Sequence, residues 1–301
     1  MTGIWVDTDF GFDDLWALLL LRHLGCKVAG VSLVSGNAPL SQVVYNASAA
    51  KAAYKFDWPL WQGAERPLKR NPEHATRILG PTGMRSRGKK LDPSNAPHPP
   101  VGAIKAMAEW LQSPAEHPHE ILALGPLTNI AQLLNTYPEI SHRMDRLVWM
   151  GGSAGPGNHT PFAEFNALAD PEALDQVAKA GLPFDIVDLT TCRTVTFGAN
   201  DLPNSDPLTS DLIGGYLDIA LERGRSEMAI YDPVAAIAIA QPAHLIFQSC
   251  TVDVGTEPTE TYGATRIEHS PNSRTRISTG CMGELSRLCL EALTKDLAHV
   301  K

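Results

Sequence analysis

The sequence predicts an α/β protein built on a single open, mainly parallel sheet with helices on both faces. Short apolar runs alternate along the chain with segments of helical periodicity, and this alternation is typical of strand–helix–strand units with parallel strands. Within residues 251–278 the pattern changes to alternating polar and apolar residues, as in residues 251–254 and 274–277. That change predicts antiparallel strands at one edge of the sheet, near the C-terminus.

The predicted elements follow one another in a regular order. Strands are predicted at residues 4–6, 28–34, 121–124, 147–150 and 184–189, where short apolar runs lie between turn signals. Helices are predicted at residues 15–24, 43–54, 104–111, 129–134, 171–180, 208–222, 234–240 and 284–297, where apolar residues recur every three or four positions. No repeat or linker requires a second domain, so residues 1–301 are predicted to form one.

Residues 63–100 interrupt this order. They are rich in proline, glycine and charged residues, which predicts long loops. A long loop in a compact domain is often functional, and this one is a candidate lid near a site.

Composition excludes several classes of function. The formal net charge is -8, which disfavours a nucleic acid or an anionic membrane as partner and favours a neutral small molecule or a cation. No apolar stretch is long enough to span a membrane, and the N-terminal residues do not resemble a secretion signal. The five cysteines contain no CxxC pair, so we expect buried thiols in a reducing compartment, the cytoplasm.

A cluster of carboxylates follows the first predicted strand. Asp7, Asp9, Asp13 and Asp14 lie within residues 7–14, around Gly11. Ligands of open α/β sheets bind at the carboxyl ends of the strands, which is where this cluster lies. Crowded carboxylates repel each other, and a divalent cation relieves the repulsion. Ligands that are all oxygen favour calcium or magnesium over zinc.

Other interpretations of the cluster were weighed on the residues themselves. An EF-hand loop beginning at Asp7 would need Gly and Glu where the chain has Phe12 and Leu18. A haloacid-dehalogenase-type phosphatase would use Asp7 as its nucleophile and would have Thr or Val in place of Gly11, so that match is weaker but stays open. A solvated acidic turn that caps the following helix, with Asp13 as a capping residue, is the simplest alternative.

The segment Asp7-Thr8-Asp9-Phe10-Gly11-Phe12-Asp13-Asp14 resembles the N-terminal signature of the nucleoside hydrolase family, of the inosine-uridine preferring type. Further segments resemble the family's other motifs in the same order. They are residues 35–37, 124–129, 150–152, 157–158, 163–166, 170–172 and 231–233. The resemblance covers nearly the whole chain. It implies the family's Rossmann-like fold, hydrolysis of the N-glycosidic bond of ribonucleosides, and a homodimer or homotetramer.

The resemblance also implies a metal site. Asp9, Asp14, Asp232 and the main-chain carbonyl of Leu124 would hold one Ca²⁺ that orients the ribose and lowers the pKa of a water molecule. Asp9 would act on that water as general base, because position within hydrogen-bonding reach counts before pKa. Asp232 precedes Pro233, a pair that also predicts the start of a helix.

The same resemblance implies a ribose site. Asp13 would accept a hydrogen bond from the 2′-hydroxyl, and Asn37, Asn158, Glu164 and Asn166 would hold the other hydroxyls. Asp9, Asp13, Asn166 and Tyr231 are therefore the catalytic candidates. An oxocarbenium-like transition state would gain more from nearby carboxylates than the neutral substrate does. Taken alone, Asn37 could be a turn residue, and Glu164 and Asn166 could belong to an exposed loop.

Two positions depart from the family pattern. Tyr231 and Leu79 stand where many members have histidine residues that can protonate the departing base. A tyrosine is a poorer acid than a histidine at neutral pH, although it can still donate a hydrogen bond. His74 and His159 lie in loops that could reach the site. The preferred base stays open, and a non-catalytic riboside-binding protein is a further alternative to the calcium-dependent hydrolase.

Overall fold

The structure is a computed structural model that describes residues 3–95, 97–114 and 118–294. Its strands are β1 Gly3–Thr8, β2 Lys27–Leu33, β3 Leu60–Gln62, β4 Glu120–Ala123, β5 Arg146–Met150, β6 Phe184–Val187, β7 Thr196–Gly198, β8 Glu227–Ala229, β9 Leu245–Val254, β10 Thr265–His269 and β11 Thr275–Cys281. Its helices are α1 Phe12–His23, α2 Leu40–Ala53, α3 Thr76–Leu79, α4 Ala103–Gln112, α5 Thr128–Thr136, α6 Phe165–Ala169, α7 Pro171–Lys179, α8 Leu189–Cys192, α9 Pro207–Leu221, α10 Asp232–Ala240 and α11 Leu285–Glu291.

Nine of the strands form one sheet in the order β10-β9-β11-β6-β5-β4-β1-β2-β3. Every neighbouring pair is parallel except the two pairs that β9 makes with β11 and β10, which are antiparallel. The predicted fold class, a mainly parallel sheet with antiparallel edge strands near the C-terminus, is confirmed.

Helices cover both faces of this sheet, because side chains along a strand alternate between its faces. Ile4 and Val6 of β1 join an apolar cluster with residues of α1, α2, α9 and α10. Trp5 between them joins a second cluster, with residues of α4, α5 and α7. Strand β1 is therefore buried on both faces, which is why its sequence is a continuous apolar run.

The order of the strands decides where the site lies. Strand β1 is central, between β2 and β4, and β5 follows beside β4. Because these four strands are parallel, the segments that leave their carboxyl ends meet at one edge of the sheet. Those segments carry the acidic motif after β1, Asn37 after β2, Leu124 after β4 and the loop after β5.

Several predicted boundaries were wrong by a few residues. Helix α1 begins at Phe12 instead of residue 15, with Asp13 and Asp14 in its first turn as predicted, and α2 begins at Leu40 instead of residue 43. The predicted strand 184–189 ends at Val187, where Asp188 caps the short helix α8. Strands β3, β7 and β8 were not predicted, because three residues are too few to show a periodic pattern. Residues 295–297 of the predicted last helix lie outside the described residues.

Within residues 63–100, α3 is the only regular helix or strand among the described residues, as the prediction of long loops requires. No helix in the described part of the chain combines the length and the apolar character that crossing a bilayer demands.

Candidate active site

The turn from β1 into α1 fixes Asp14. The backbone of Phe10 adopts a positive φ of 40°, which folds the chain back over the end of β1. Thr8 Oγ1 accepts a hydrogen bond from Phe10 N at 3.0 Å and donates one to Asp14 Oδ1. Gly11 N donates to Asp14 Oδ2 at 2.7 Å. The Asp14 carboxylate is thus held at the N-terminus of α1, where the helix dipole favours negative charge.

Asp9 is held from the neighbouring strand end. Asn37 donates to it twice, from its backbone N to Oδ2 at 2.7 Å and from Nδ2 to Oδ1 at 3.0 Å. A Cβ at Gly36 would lie 2.1 Å from Asp9 Oδ2, so the residue there has to be glycine. Asn37 is therefore more than a turn residue, because it fixes the orientation of a buried carboxylate.

Three acids from distant parts of the sequence converge. Carboxylate oxygens of Asp13, Asp14 and Asp232 lie within 4.8 Å of one another. Asp232 is the first residue of α10 and Pro233 the second, whereas the pair predicted Asp232 as the N-cap; Tyr231 occupies that position. Asp14 and Asp232 are buried.

No lysine or arginine among the described residues forms an ion pair with this cluster or with Asp9. Burial, followed by repulsion from Asp14, raises the pKa of Asp13 to about 7. Burial and the neighbouring aspartates raise the pKa of Asp9 and of Asp232 well above the usual value, and burial raises that of Asp14. One oxygen of Asp13, Oδ1, is buried without a partner in the part of the chain described, while Oδ2 accepts from the Tyr216 hydroxyl at 3.1 Å. An all-oxygen set with this unrelieved repulsion fits a hard divalent cation.

Asn166 joins the ends of two strands. Its Nδ2 donates to the carbonyl oxygen of Leu124, after β4, at 2.8 Å and to that of Met150, the last residue of β5, at 3.0 Å. The carbonyl of Leu124, predicted as a metal ligand, therefore lies against the predicted ribose-binding amide. A carbonyl oxygen has a second lone pair, so this bond leaves it able to coordinate a cation.

Glu164 is buried, not part of an exposed loop. Its carboxylate accepts hydrogen bonds from the backbone N–H groups of Asn166, Ala167 and Gly152, at 2.8 to 3.0 Å, and caps α6. Burial is the larger influence and raises its pKa to about 7. Asn158 accepts from Phe165 N at 2.9 Å and so ties the preceding loop to the same helix.

A cavity opens beside these residues. Its lining includes most of the predicted site: Asp13, Asn37, Leu124, Asn158, Glu164, Asn166, Tyr231 and Asp232. Asp9 and Asp14 are almost fully buried and do not belong to the lining. Asp7 lies within β1, where Ser32 and Asn129 donate to its Oδ1.

The family model for inosine-uridine preferring nucleoside hydrolases matches residues 4–284. The chain belongs to this family. The prediction of a hydrolase acting on N-glycosyl compounds is therefore confirmed. The phosphatase alternative is wrong, since Asp7, which would have been its nucleophile, is buried within the sheet and does not line the cavity.

Relatives of this nucleoside hydrolase include a non-specific ribonucleoside hydrolase of Klebsiella pneumoniae, 34% identical over 275 residues that cover 87% of each chain. A pyrimidine-specific ribonucleoside hydrolase of a Shewanella species is 31% identical over 274 residues, covering 87% of this chain and 85% of the relative. Among solved structures, a purine-preferring ribonucleoside hydrolase from Gardnerella vaginalis superposes with a TM-score of 0.88 at 20% identity and full coverage of both chains. An inosine-guanosine nucleoside hydrolase superposes with a TM-score of 0.86 at 24% identity over 99% of each chain.

The positions that depart from the family pattern lie in the cavity wall. Leu79 and Tyr231 both line it, and Ala75 and Ile78 add further wall residues from the predicted lid segment. Burial raises the pKa of Tyr231 to about 12, so its hydroxyl is a still poorer acid than an ordinary tyrosine. It remains a neutral hydrogen-bond donor.

The two loop histidines differ in position. His159 lines the cavity, and its Nε2 lies 2.5 Å from Glu73 Oε1. The ring of His74 lies 3.1 Å from the carbonyl oxygen of Gly36 through Nδ1, and His74 is not part of the lining.

The sequence analysis missed several lining residues. Arg223 and Arg225 follow α9, and Tyr216, Ile219 and Met228 complete that side of the wall. The closely spaced Arg223 and Arg225, directly after a predicted helix end, were the one available signal, and a charged turn on the surface would look the same.

Proposed function

We propose that this chain is a calcium-dependent ribonucleoside hydrolase that releases a free base and ribose. The observation that carries the proposal is the convergence of Asp13, Asp14 and Asp232, without a cationic side chain to offset them, on the cavity of a nucleoside hydrolase fold.

In this proposal Asp9, Asp14, Asp232 and the carbonyl of Leu124 hold the Ca²⁺. The bound ion supplies positive charge that orients the ribose diol and lowers the pKa of a water molecule. Asp13 accepts a hydrogen bond from the 2′-hydroxyl, and its unpartnered Oδ1 is the atom available for it. Asn37, Asn158, Glu164 and Asn166 bind the remaining hydroxyls. The ribose-binding roles of Glu164 and Asn166 are supported by the burial of both side chains at the cavity wall.

Asp9 takes the proton from the attacking water. Beside a bound cation its pKa falls, so its advantage is position instead of basicity. Asn37 supplies that position through its two hydrogen bonds. As the C1′–N bond breaks, positive charge develops on the sugar, and the surrounding carboxylates stabilise it more than they stabilise the neutral substrate.

The test measures ribose release from uridine, cytidine, inosine, guanosine and adenosine, in Ca²⁺ and in EDTA. We expect turnover in Ca²⁺, loss of turnover in EDTA, and much slower release from 2′-deoxyuridine, which lacks the hydroxyl that Asp13 would bind. Asp232→Asn should be inactive, whereas Asp92→Asn, which changes an exposed acid outside the cavity, should retain activity. Binding of these nucleosides without turnover would instead identify a riboside-binding protein, and equal turnover in EDTA would refute the calcium requirement.

Two further properties stay predictions from the family resemblance and the composition. We expect a homodimer or homotetramer, measured as the mass in solution by light scattering, and a location in the cytoplasm. The named relatives differ in base preference, since one is described as non-specific and another as pyrimidine-specific, so the nucleoside panel also measures which base is preferred.

A further inference from the structure

Two arginines at the cavity are without acidic partners. Arg223 and Arg225 lie in the turn after α9 and line the cavity, and neither side chain makes a hydrogen bond or ion pair within the described residues. The acids nearest to them in the sequence have other partners, and Glu227 accepts a hydrogen bond from Thr196 Oγ1 at 2.6 Å. Arg85 pairs with Glu222 at 2.6 Å and Arg87 with Asp218 at 2.6 Å. The two cations are therefore free to meet a ligand.

The arginines reach the cavity from a different part of the chain than the acids. The segment from α9 to β8 supplies Arg223, Arg225 and the apolar Ile219 and Met228, whereas Asp13 and Asp232 belong to α1 and α10. Arg225 and Tyr231 belong to the lining of the same cavity. With the ribose on the carboxylates, the planar base would occupy the rest of the cavity, whose lining includes these apolar side chains and the two guanidinium groups.

Breaking the glycosidic bond places positive charge on the sugar and negative charge on the departing base. The C1′–N electron pair goes to the base nitrogen, the water oxygen bonds to C1′, and the water proton goes to Asp9. The base then carries a negative charge until it takes a proton from solvent. The positions where many family members have histidine are Leu79 and Tyr231, and both line the cavity; a tyrosine hydroxyl is a weak acid at neutral pH.

Resting on the proposed function, we infer that Arg225, assisted by Arg223, contacts the departing base and stabilises its negative charge, in place of a proton donor. A guanidinium stays charged at any physiological pH and is weakly hydrated, so it binds a delocalised anion such as a nucleobase well. Such a contact accelerates the reaction because it is stronger in the transition state than with the neutral nucleoside.

The test compares two leaving groups. Uridine releases a poor leaving group, whereas p-nitrophenyl β-D-ribofuranoside releases p-nitrophenolate, which needs little stabilisation. Arg225→Gln should lower kcat/KM for uridine about 10- to 100-fold, at or below the ~10²- to 10³-fold loss typical of removing one preorganised donor to a developing anion. For the p-nitrophenyl riboside the loss should stay within about 3-fold, since the sugar half of the site is intact.

Three variants complete the design. Arg223→Gln should show the same selectivity with a smaller loss, and Arg225→Lys, which keeps the charge, should recover part of the uridine rate. Arg143→Gln removes an exposed arginine outside the cavity and should change neither substrate.

Equal losses of Arg225→Gln on both substrates, or no loss on either, would overturn the inference. So would a uridine-selective loss in His159→Gln with the arginine variants unaffected, because His159 would then be the proton donor. Failure of the unaltered protein to cleave either riboside in Ca²⁺ would instead refute the proposed function, so the two failures are distinguishable.

Discussion

Buried carboxylates at the two ends of the sheet differ in whether a cationic side chain pairs with them. At the amino ends of the strands, Asp185 of β6 is almost fully buried, and it accepts hydrogen bonds from Arg146 Nε at 2.7 Å and from Arg276 Nε and Nη2 at 2.6 Å. At the carboxyl ends, Asp14 and Asp232 are buried as deeply and have no cationic side chain against them among the described residues.

In the proposed function, this difference separates a structural charge from a functional one. A charge in the interior is costly unless it is paired, and the chain provides two arginines for Asp185. The same chain leaves the carboxyl-end acids uncompensated, which destabilises the protein without ligand and keeps their oxygens available for a cation. The substitution of aspartate by asparagine should therefore have different consequences at the two ends.

The largest effect is expected for Asp14→Asn. We expect kcat/KM for nucleosides to fall by roughly 10³-fold or more, because losing a metal ligand removes several kcal/mol of transition-state stabilisation. The rise in melting temperature on adding Ca²⁺ should disappear with it, as measured by thermal unfolding with and without the ion. A variant that keeps both the calcium-dependent rise and the activity would contradict a metal site at Asp14.

Asp185→Asn should lower stability with little effect on the chemistry. It leaves Arg276 without an anion among the described residues and leaves Arg146 only its 3.7 Å ion pair with Glu120, and breaking a buried pair of this kind costs about 3 kcal/mol. The free energy of unfolding from urea titration measures this loss, and kcat/KM of the folded protein should change less than about 2-fold. A large loss of activity at unchanged stability would make Asp185 part of the site and remove the contrast between the two ends.

The sequence predicted Asp9, Asp13 and Asp14 as neighbours because they belong to one local motif. Asp232 was placed with them only through the family resemblance and the rule that ligands bind at the carboxyl ends of strands. The sequence could not show that Asp7 differs from Asp9. Only the register, which pairs Asp7 with Ser32 of β2 and with Ala123 of β4, places Asp7 inside the sheet.

Arg225 was missed for a related reason. Whether a charged turn covers solvent or a cavity depends on the path of the chain from α9 back to β8. That path depends on the two-stranded sheet formed by β7 and β8, whose strands are too short to give a recognisable pattern in the sequence. Local periodicity carries no information about such tertiary placement.

Asp13→Asn should stabilise the calcium-free protein while it inactivates the enzyme. The pKa of Asp13 is raised from 3.8 to about 7, so ionising it in the folded state costs free energy that an amide avoids. Its carbonyl can accept from the Tyr216 hydroxyl, and its NH₂ can occupy the place of the unpartnered Oδ1. In EDTA at pH 8 we expect a gain on the order of 2 kcal/mol in the free energy of unfolding, with kcat/KM reduced about 10²-fold or more.

The matched comparison for this variant is Asp185→Asn under the same conditions. The same chemical change should then move stability in opposite directions at the two ends of the sheet. A loss of stability in both would show that the carboxyl-end acids are compensated in the calcium-free protein.

The smallest effect is a pH dependence of stability that calcium should reduce. The pKa values of Asp7, Asp13 and Glu164 are raised by burial to about 6, about 7 and about 7, from usual values of 3.8 to 4.5. Between pH 4 and 7 the folded protein thus binds more protons than the unfolded chain, so stability is greatest below these usual values and declines as the pH rises through the folded ones. In EDTA the melting temperature should fall by several degrees from pH 5 to pH 7.5, at about 2 °C or more for each kcal/mol in a chain of this size.

Saturating Ca²⁺ favours the ionised form of the acids around it, so the calcium-induced rise in melting temperature should be larger at pH 7.5 than at pH 5. Asp7 lies within the sheet and Glu164 on the cavity wall, so the slope that persists in Ca²⁺ should shrink in Asp7→Asn. A melting temperature that rises with pH in EDTA would show that the carboxyl-end acids are already neutralised by the protein, and the contrast with Asp185 would fail.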